Sequence, residues 1–238
     1  MTESEPSSPT SPSSPTSTSS PGGDGLAEPD VLASPYLQAR AWIDEATSLA
    51  EQRRDLAEPT AMSVATVDGQ GRPNVRTVLM RFFDERGPGF VTNLESAKSL
   101  EIRSHPGIAA SLTWPAIHRA IRFRGRAEPI GRDEVAAYFS SRPYGSRISA
   151  WASEQSRPVA DRAELERRYA EMLTRFPDTG APDDVPLPDF WGGWRVAADE
   201  VEFWAGRASR LHDRIVFTRT GPGTLADGSS WTRSRRQP

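Results

Sequence analysis

Ala61-Met62-Ser63-Val64-Ala65-Thr66-Val67 breaks at Asp68-Gly69-Gln70-Gly71 and resumes as a second apolar run over 75–83. Two β-rich runs around a turn of Asp and Gly predict a hairpin. Outward from it the same punctuation repeats. Asp84-Glu85-Arg86-Gly87-Pro88-Gly89 reads as another turn leading to a short strand, Phe90-Val91-Thr92-Asn93, and 96–104 reads as a helix closed by His105-Pro106. Strands follow at 108–114 and 119–130; in the latter Ile121 and Phe123 alternate with Arg122, Arg124 and Arg126, giving one apolar and one cationic face. Upstream, Leu37, Ala41, Trp42, Ile43, Ala46 and Leu49 have helical spacing over 36–51. Downstream, helical spacing from Asp133 ends at Arg142-Pro143, and 161–176 reads as a longer charged helix. A Pro- and Asp-rich loop then precedes strands at 194–197, 201–204 and 215–218, with a short one near Trp231. The pattern is mainly β with inserted helices, an antiparallel barrel rather than a doubly wound sheet. The glycines agree: Gly87-Pro88-Gly89 and Gly192-Gly193 do not open a helix after a strand, as a dinucleotide fingerprint requires.

The chain has 238 residues, of which 36% are apolar, and one domain over 35–238 is the reading that fits. Residues 1–34 are rich in Ser, Pro, Thr and Gly and predict a disordered tail. That segment lacks the basic start and apolar core of a secretory signal, and no run approaches the ~20 apolar residues of a membrane span. A soluble, cytoplasmic protein is expected. Without cysteine there is no disulfide, thiolate metal site or cysteine nucleophile. A net charge of -3 gives no general attraction to nucleic acid, and the scattered His105, His118 and His212 argue against a metal site.

Three groups of residues carry candidate chemistry. Arg210-Leu211-His212-Asp213-Arg214 follows Val201-Glu202-Phe203-Trp204. Guanidinium forks beside an indole suit an anionic aromatic ligand, and equally suit a solvated turn beside a core tryptophan. Arg76 and Arg81 flank Thr77-Val78-Leu79-Met80, and Lys98 lies in the first turns of the helix after Asn93, so the three cations can meet a phosphate at one end of the barrel. In Tyr138-Phe139-Ser140-Ser141-Arg142-Pro143-Tyr144-Gly145-Ser146, Tyr138, Arg142 and Ser146 recur at intervals that place them on one side of a helix end, a second phosphate cradle. Taken singly, each of these reads as an ordinary surface or core residue.

Together with Pro59-Thr60-Ala61-Met62, Arg76-Thr77-Val78-Leu79, Thr92-Asn93-Leu94, Trp151-Ala152-Ser153-Glu154-Gln155-Ser156 and Pro186-Leu187-Pro188-Asp189-Phe190-Trp191-Gly192-Gly193, these segments give the chain a resemblance. From about Ser34 to Pro238 it resembles the pyridoxine/pyridoxamine 5'-phosphate oxidase family. The resemblance implies an FMN-binding split barrel, a homodimer with FMN at the subunit interface, and oxidation of a small phosphorylated aromatic substrate to its aldehyde. Hydride would pass to the flavin and molecular oxygen would leave as peroxide. By position, Arg76 and Lys98 resemble the FMN phosphate ligands, and Val78, Leu79 and Thr92 line the cofactor. Gln155, Ser156, Trp204 and Arg214 would come from the other subunit. Tyr138, Arg142, Ser146 and Arg81 resemble the substrate-phosphate cradle, and Arg210 and His212 the catalytic pair over the substrate ring.

The chain departs from the family pattern around the cofactor. Arg81 stands for a usual lysine, Val91 for a tyrosine, Ala97 for an arginine and Ala120 for a glutamine, with Arg122 and Arg124 on the face of Ala120 as candidate replacements. The family's N-terminal Arg-x-x-Tyr segment has no clear counterpart, and the chain ends Arg235-Arg236-Gln237-Pro238 in place of Arg-Leu-x-Pro. Alongside vitamin B6 phosphate oxidation, two alternatives stand: a diverged flavin oxidase of the phenazine-biosynthesis kind, and a non-catalytic FMN- or vitamer-binding split barrel.

Overall fold

The structure, a computed structural model, describes residues 25–238. Strands β1 (Ala61–Val67) and β2 (Pro73–Leu79) form the predicted hairpin, paired Val64 to Arg76 and Met62 to Val78. The sheet continues through β5 (Gly107–Trp114), β6 (Arg119–Pro129) and β7 (Trp191–Ala205), then β4 (Gly87–Asn93) and β3 (Phe82–Asp84), while β8 (Asp213–Arg219) and β9 (Trp231–Arg235) extend from the far half of β7. Every pairing is antiparallel. Met62, Leu112, Ile121, Phe203 and Ile215 point to one side and share a core with Phe90 and Val196, so the sheet curls upon itself into a barrel. Helix α1 (Pro35–Ala50) starts at Ser34, whose Oγ accepts the Leu37 N–H, and covers the core with Trp42, edge-on to Phe203 at 5.4 Å.

β7 is one strand where the sequence predicts two. Its polar centre, Ala197 to Glu200, spans a bulge opposite Gly125, the point at which β7 passes from β4 to β8 as its second neighbour. A Cβ on Gly125 would lie 2.0 Å from the Ala197 carbonyl oxygen, so only glycine permits the close approach there.

Helices α3 (Arg132–Ser141), α4 (Tyr144–Ala152) and α5 (Arg162–Arg175) stand beside the barrel, with Val135, Phe139, Ile148 and Trp191 in a second apolar cluster. α2 (Ala97–Ser104) follows β4. Residues 1–24 of the predicted tail lie outside the described residues. The remainder, 25–34, packs on the barrel: Leu26 and Val31 are buried and the Leu26 N–H donates to Asp213. The packed domain therefore includes residues before 35, because two apolar side chains and a buried carboxylate tie the segment down. Among the described residues no helix is long and apolar enough to cross a membrane.

Candidate functional site

β2 and β4 line a common groove without pairing. After Leu79 the chain crosses to β3, where the Arg81 N–H donates to Gly89 O, and the unpaired edges leave a cavity of about 510 Å³. Its walls include Arg76, Val78 and Leu79 from β2, Val91 and Thr92 from β4, Ala97 and Lys98 from α2, and Gln155 with Ser156. Seven predicted site residues thus meet in one place.

Lys98 is the electrostatic centre of this groove. Its side chain is buried, and Nζ donates to Gln155 Oε1 at 2.8 Å, Thr92 Oγ1 at 3.0 Å and Ser96 Oγ at 3.3 Å. All three acceptors are neutral. Burial, with the Arg76 guanidinium second, pushes the Lys98 ammonium down to about 8, while Glu101 pulls the other way. A buried ammonium without a carboxylate partner is a site prepared for an anion.

Glu101, one helical turn beyond Lys98, escaped the sequence reading. It accepts from Arg76 Nη2 at 2.9 Å and from Asn74 Nδ2 at 2.9 Å, and Thr66 Oγ1 bonds it too. These hydrogen bonds outweigh burial and hold Glu101 below the usual carboxylate range. Arg76 is thereby fixed at the groove wall; the helical spacing of Lys98 and Glu101 was the signal available.

The resemblance places Gln155 and Ser156 on the other subunit, and the structure corrects this. After α4 the chain returns to its own β4, held by Asn93 Nδ2 donating to Ser153 O at 3.3 Å, which brings Gln155 against Lys98 of the same chain.

A second cationic centre is built on Arg142. Arg142 packs its guanidinium 4.9 Å from the Trp191 ring centre, and Tyr138 stacks parallel to the same indole at 6.4 Å. Burial, and after it the charge of Arg81, depresses the Arg142 guanidinium, while Tyr138 opposes the change. Nη1 is buried without a hydrogen-bond partner among the described residues. A buried charged donor left unsatisfied, near another arginine, is chemically suited to an anion. Helical spacing does not create it: α3 ends at Ser141, Arg142 caps it, and Ser146 lies on the separate α4. Arg142-Pro143 forms the joint because proline cannot continue α3. Trp191, quoted in the sequence only as part of a motif, forms the floor.

The remaining candidates form a third group. Trp204 pairs with Arg214 across β7 and β8 and with Ala120 on β6, and the His212 ring lies 4.7 Å from the Trp204 ring. His212 Nδ1 accepts the Arg207 N–H at 3.1 Å, which leaves Nε2 as the donor of a neutral ring. Ser209 and Arg210 are left-handed, with φ of 57° and 62°. Each such non-glycine residue costs about 1–2 kcal/mol. Arg214 and Arg122 both hold the buried Glu202, at 2.8 Å and 2.7 Å. Arg122 does share the face of Ala120, but Glu202 already engages its Nη1. None of Trp204, Arg210, His212 and Arg214 lines the groove between β2 and β4 of the same chain.

Residues 49–176 match the family described as pyridoxamine 5'-phosphate oxidase, and residues 191–238 match the pyridoxine 5'-phosphate oxidase C-terminal dimerisation region. A pyridoxine/pyridoxamine 5'-phosphate oxidase of Kineococcus radiotolerans is 49% identical over 84% of this chain and 88% of its own length. That of Mycolicibacterium gilvum is 45% identical over 73% of this chain and 76% of its own. Among solved structures, PhzG from Burkholderia lata, in complex with tetrahydrophenazine-1-carboxylic acid, aligns at a TM-score of 0.77 with 28% identity, covering 91% of this chain and all (100%) of that one. The barrel split between β2 and β4 and the match across both halves of the chain agree: this protein belongs to the pyridoxine/pyridoxamine 5'-phosphate oxidase family.

Proposed function

We propose that this chain is an FMN-dependent oxidase, working in the cytoplasm, that converts pyridoxine 5'-phosphate or pyridoxamine 5'-phosphate to pyridoxal 5'-phosphate. Oxygen is the acceptor and hydrogen peroxide the second product; with the amine, water enters and ammonia leaves. One observation carries the reading: the buried Lys98 ammonium and the half-buried Arg142 guanidinium, with its buried Nη1, have no carboxylate partner among the described residues, matching one phosphate on the cofactor and one on the substrate.

In this reading Lys98 and Arg76 bind the FMN phosphate, and Val78, Leu79, Thr92, Gln155 and Ser156 form the rest of the cofactor groove. FMN, when bound, supplies a two-electron acceptor that oxygen reoxidises. Arg142, Arg81, Tyr138 and Ser146 take the substrate phosphate and so fix where the reacting carbon lies. A second copy of the chain, joined through the dimerisation region, brings Trp204 and Arg214 to the flavin and Arg210 and His212 over the substrate ring. The partner's loop excludes water and sets a positive charge beside the reacting group. Val91 and Ala97 leave the groove wider than tyrosine and arginine would, and Lys98 and Arg76 carry the phosphate without a third cation.

The test is an aerobic assay of the FMN-loaded protein with both phosphorylated vitamers, recording aldehyde and peroxide together; equal amounts of both products are expected. Arg210→Ala should lower kcat/KM by about a hundredfold, the scale of one lost charged contact in the transition state, with FMN affinity nearly unchanged. Equal loss of turnover and FMN binding would sink the assigned roles. The PhzG likeness keeps one rival: turnover of a dihydro-aromatic carboxylate without turnover of the vitamers would favour it. A yellow dimer that makes no peroxide from either class would be the non-catalytic binding protein.

The pH dependence of FMN binding follows from Lys98. Its folded value of about 8 lies below the ordinary 10.5, so across that window the unfolded chain binds more protons and the stability of the cofactor-free protein rises with pH. The phosphate needs the charged form and restores the proton. The FMN dissociation constant should therefore climb above pH ~8, by at most about tenfold per pH unit. Titrations that stay flat to pH ~9.5 would show that Lys98 does not hold the phosphate.

A further inference from the structure

We propose that Asp213 is a positioning residue for the loop carrying Arg210 and His212, and that the segment from Gly25 to Glu28 is a strap that completes the clasp. Asp213 opens β8 immediately after His212 and is 7% exposed. Its Oδ2 accepts the Leu26 N–H at 2.8 Å and is ion-paired with Arg207 Nε, while Oδ1 takes Arg235. Arg235 reaches further: Nη2 donates to Leu26 O at 3.1 Å and Nε to Glu28 Oε1 at 2.6 Å. One buried carboxylate thus joins both ends of the Arg207–Asp213 loop to the strap and to the last strand.

The strap fits only as glycine at its first described residue. Gly25 is left-handed, with φ +75°, and a Cβ there would lie 2.2 Å from Arg207 Nε and 2.4 Å from Asp213 Oδ2. Its backbone therefore packs against the ion pair on the side of the buried carboxylate, while Leu26 anchors in the barrel core. The loop needs such an anchor. Ser209 and Arg210 are both in the left-handed region, and strained residues persist only where their surroundings over-determine them. A tie within the loop, Arg207 N–H to His212 Nδ1, depends on Arg207 staying in place. The strap therefore acts on the loop through Asp213 and Arg207, without touching substrate.

The effect on turnover rests on the reading of Arg210 and His212 given above; the effect on the loop does not. The test uses the full chain with Gly25→Val, which wedges the strap away. Hydrogen–deuterium exchange of the 206–212 amides should quicken by about tenfold or more, as a local opening becomes cheaper. kcat/KM for the vitamer phosphates should fall by about tenfold, with FMN affinity within about threefold of the parent. Arg235→Gln, which frees the strap from its exposed side, should give the same pattern and guards against a local folding defect in the first variant. Quickened exchange confined to 25–34 in both variants, with kcat/KM unchanged, would overturn the clasp. A parent protein inactive on both vitamers would overturn the functional reading alone, since the exchange of the loop still decides the clasp.

Discussion

Lys98→Met should weaken FMN binding by about a hundredfold or more, the largest cofactor effect expected of any single substitution. The ammonium is the one groove cation without a carboxylate, since Glu101 holds Arg76. A lost hydrogen-bonded charge pair in a buried site is worth roughly 2–3 kcal/mol, which is about 30- to 150-fold in affinity. Methionine preserves the length and apolar stem of lysine, so the groove walls should persist. The cofactor-free protein should melt higher, because at neutral pH the parent keeps a charge buried at a cost. Fluorescence titration with FMN and with riboflavin separates the roles. The substitution should leave riboflavin affinity within about threefold, since riboflavin lacks the phosphate. Equal weakening of both ligands would mean that Lys98 shapes the groove and does not bind the phosphate.

Arg142→Met should act on the other subsite. Its buried Nη1 has no hydrogen-bond partner among the described residues, and its guanidinium packs on Trp191, a contact that methionine retains in part. For pyridoxine 5'-phosphate, kcat/KM should fall by about a hundredfold, chiefly through KM, with FMN affinity unchanged. Unphosphorylated pyridoxine should be a poor substrate of both proteins, and nearly equally poor. Arg142→Lys should recover only part of the loss, because an ammonium keeps the charge but not the planar fork. Steady-state kinetics on both substrates decides the matter: a parallel fall for pyridoxine and its phosphate would reduce Arg142 to a packing residue.

Local order was legible where side-chain alternation or periodicity and punctuation agreed. The hairpin of Ala61–Val67 and Pro73–Leu79 follows from β-branched runs around Asp68 and Gly71, and α1 from Trp42, Ile43 and Ala46 on one face. The helix Tyr144–Ala152 was not legible, since Arg142-Pro143 read as termination; in the fold Pro143 occupies the N-cap, where its missing N–H costs nothing. β7 read as two strands because its polar centre breaks the apolar run, and only the bulge at Gly125 explains why the chain continues. The packed segment from Gly25 to Ser34 was hidden by its composition: few apolar residues, yet Leu26 and Val31 both reach the core and a buried carboxylate receives the backbone.

The order of charged residues, the runs that become strands or helices and, through the resemblance, the family and the roles to expect at Arg76, Lys98, Arg142, Arg210 and His212 were readable along the chain. Their grouping came from the fold. It put Gln155 against Lys98 of the same chain, tied Arg76 to Glu101, left Arg142 Nη1 without a hydrogen-bond partner among the described residues and set Trp204 on β7, His212 just before β8 and Arg214 on β8, outside the lining of the groove. The physical reason is that periodicity and propensity act over a few residues, whereas the availability of a cation for a ligand depends on desolvation and on partners distant in the chain.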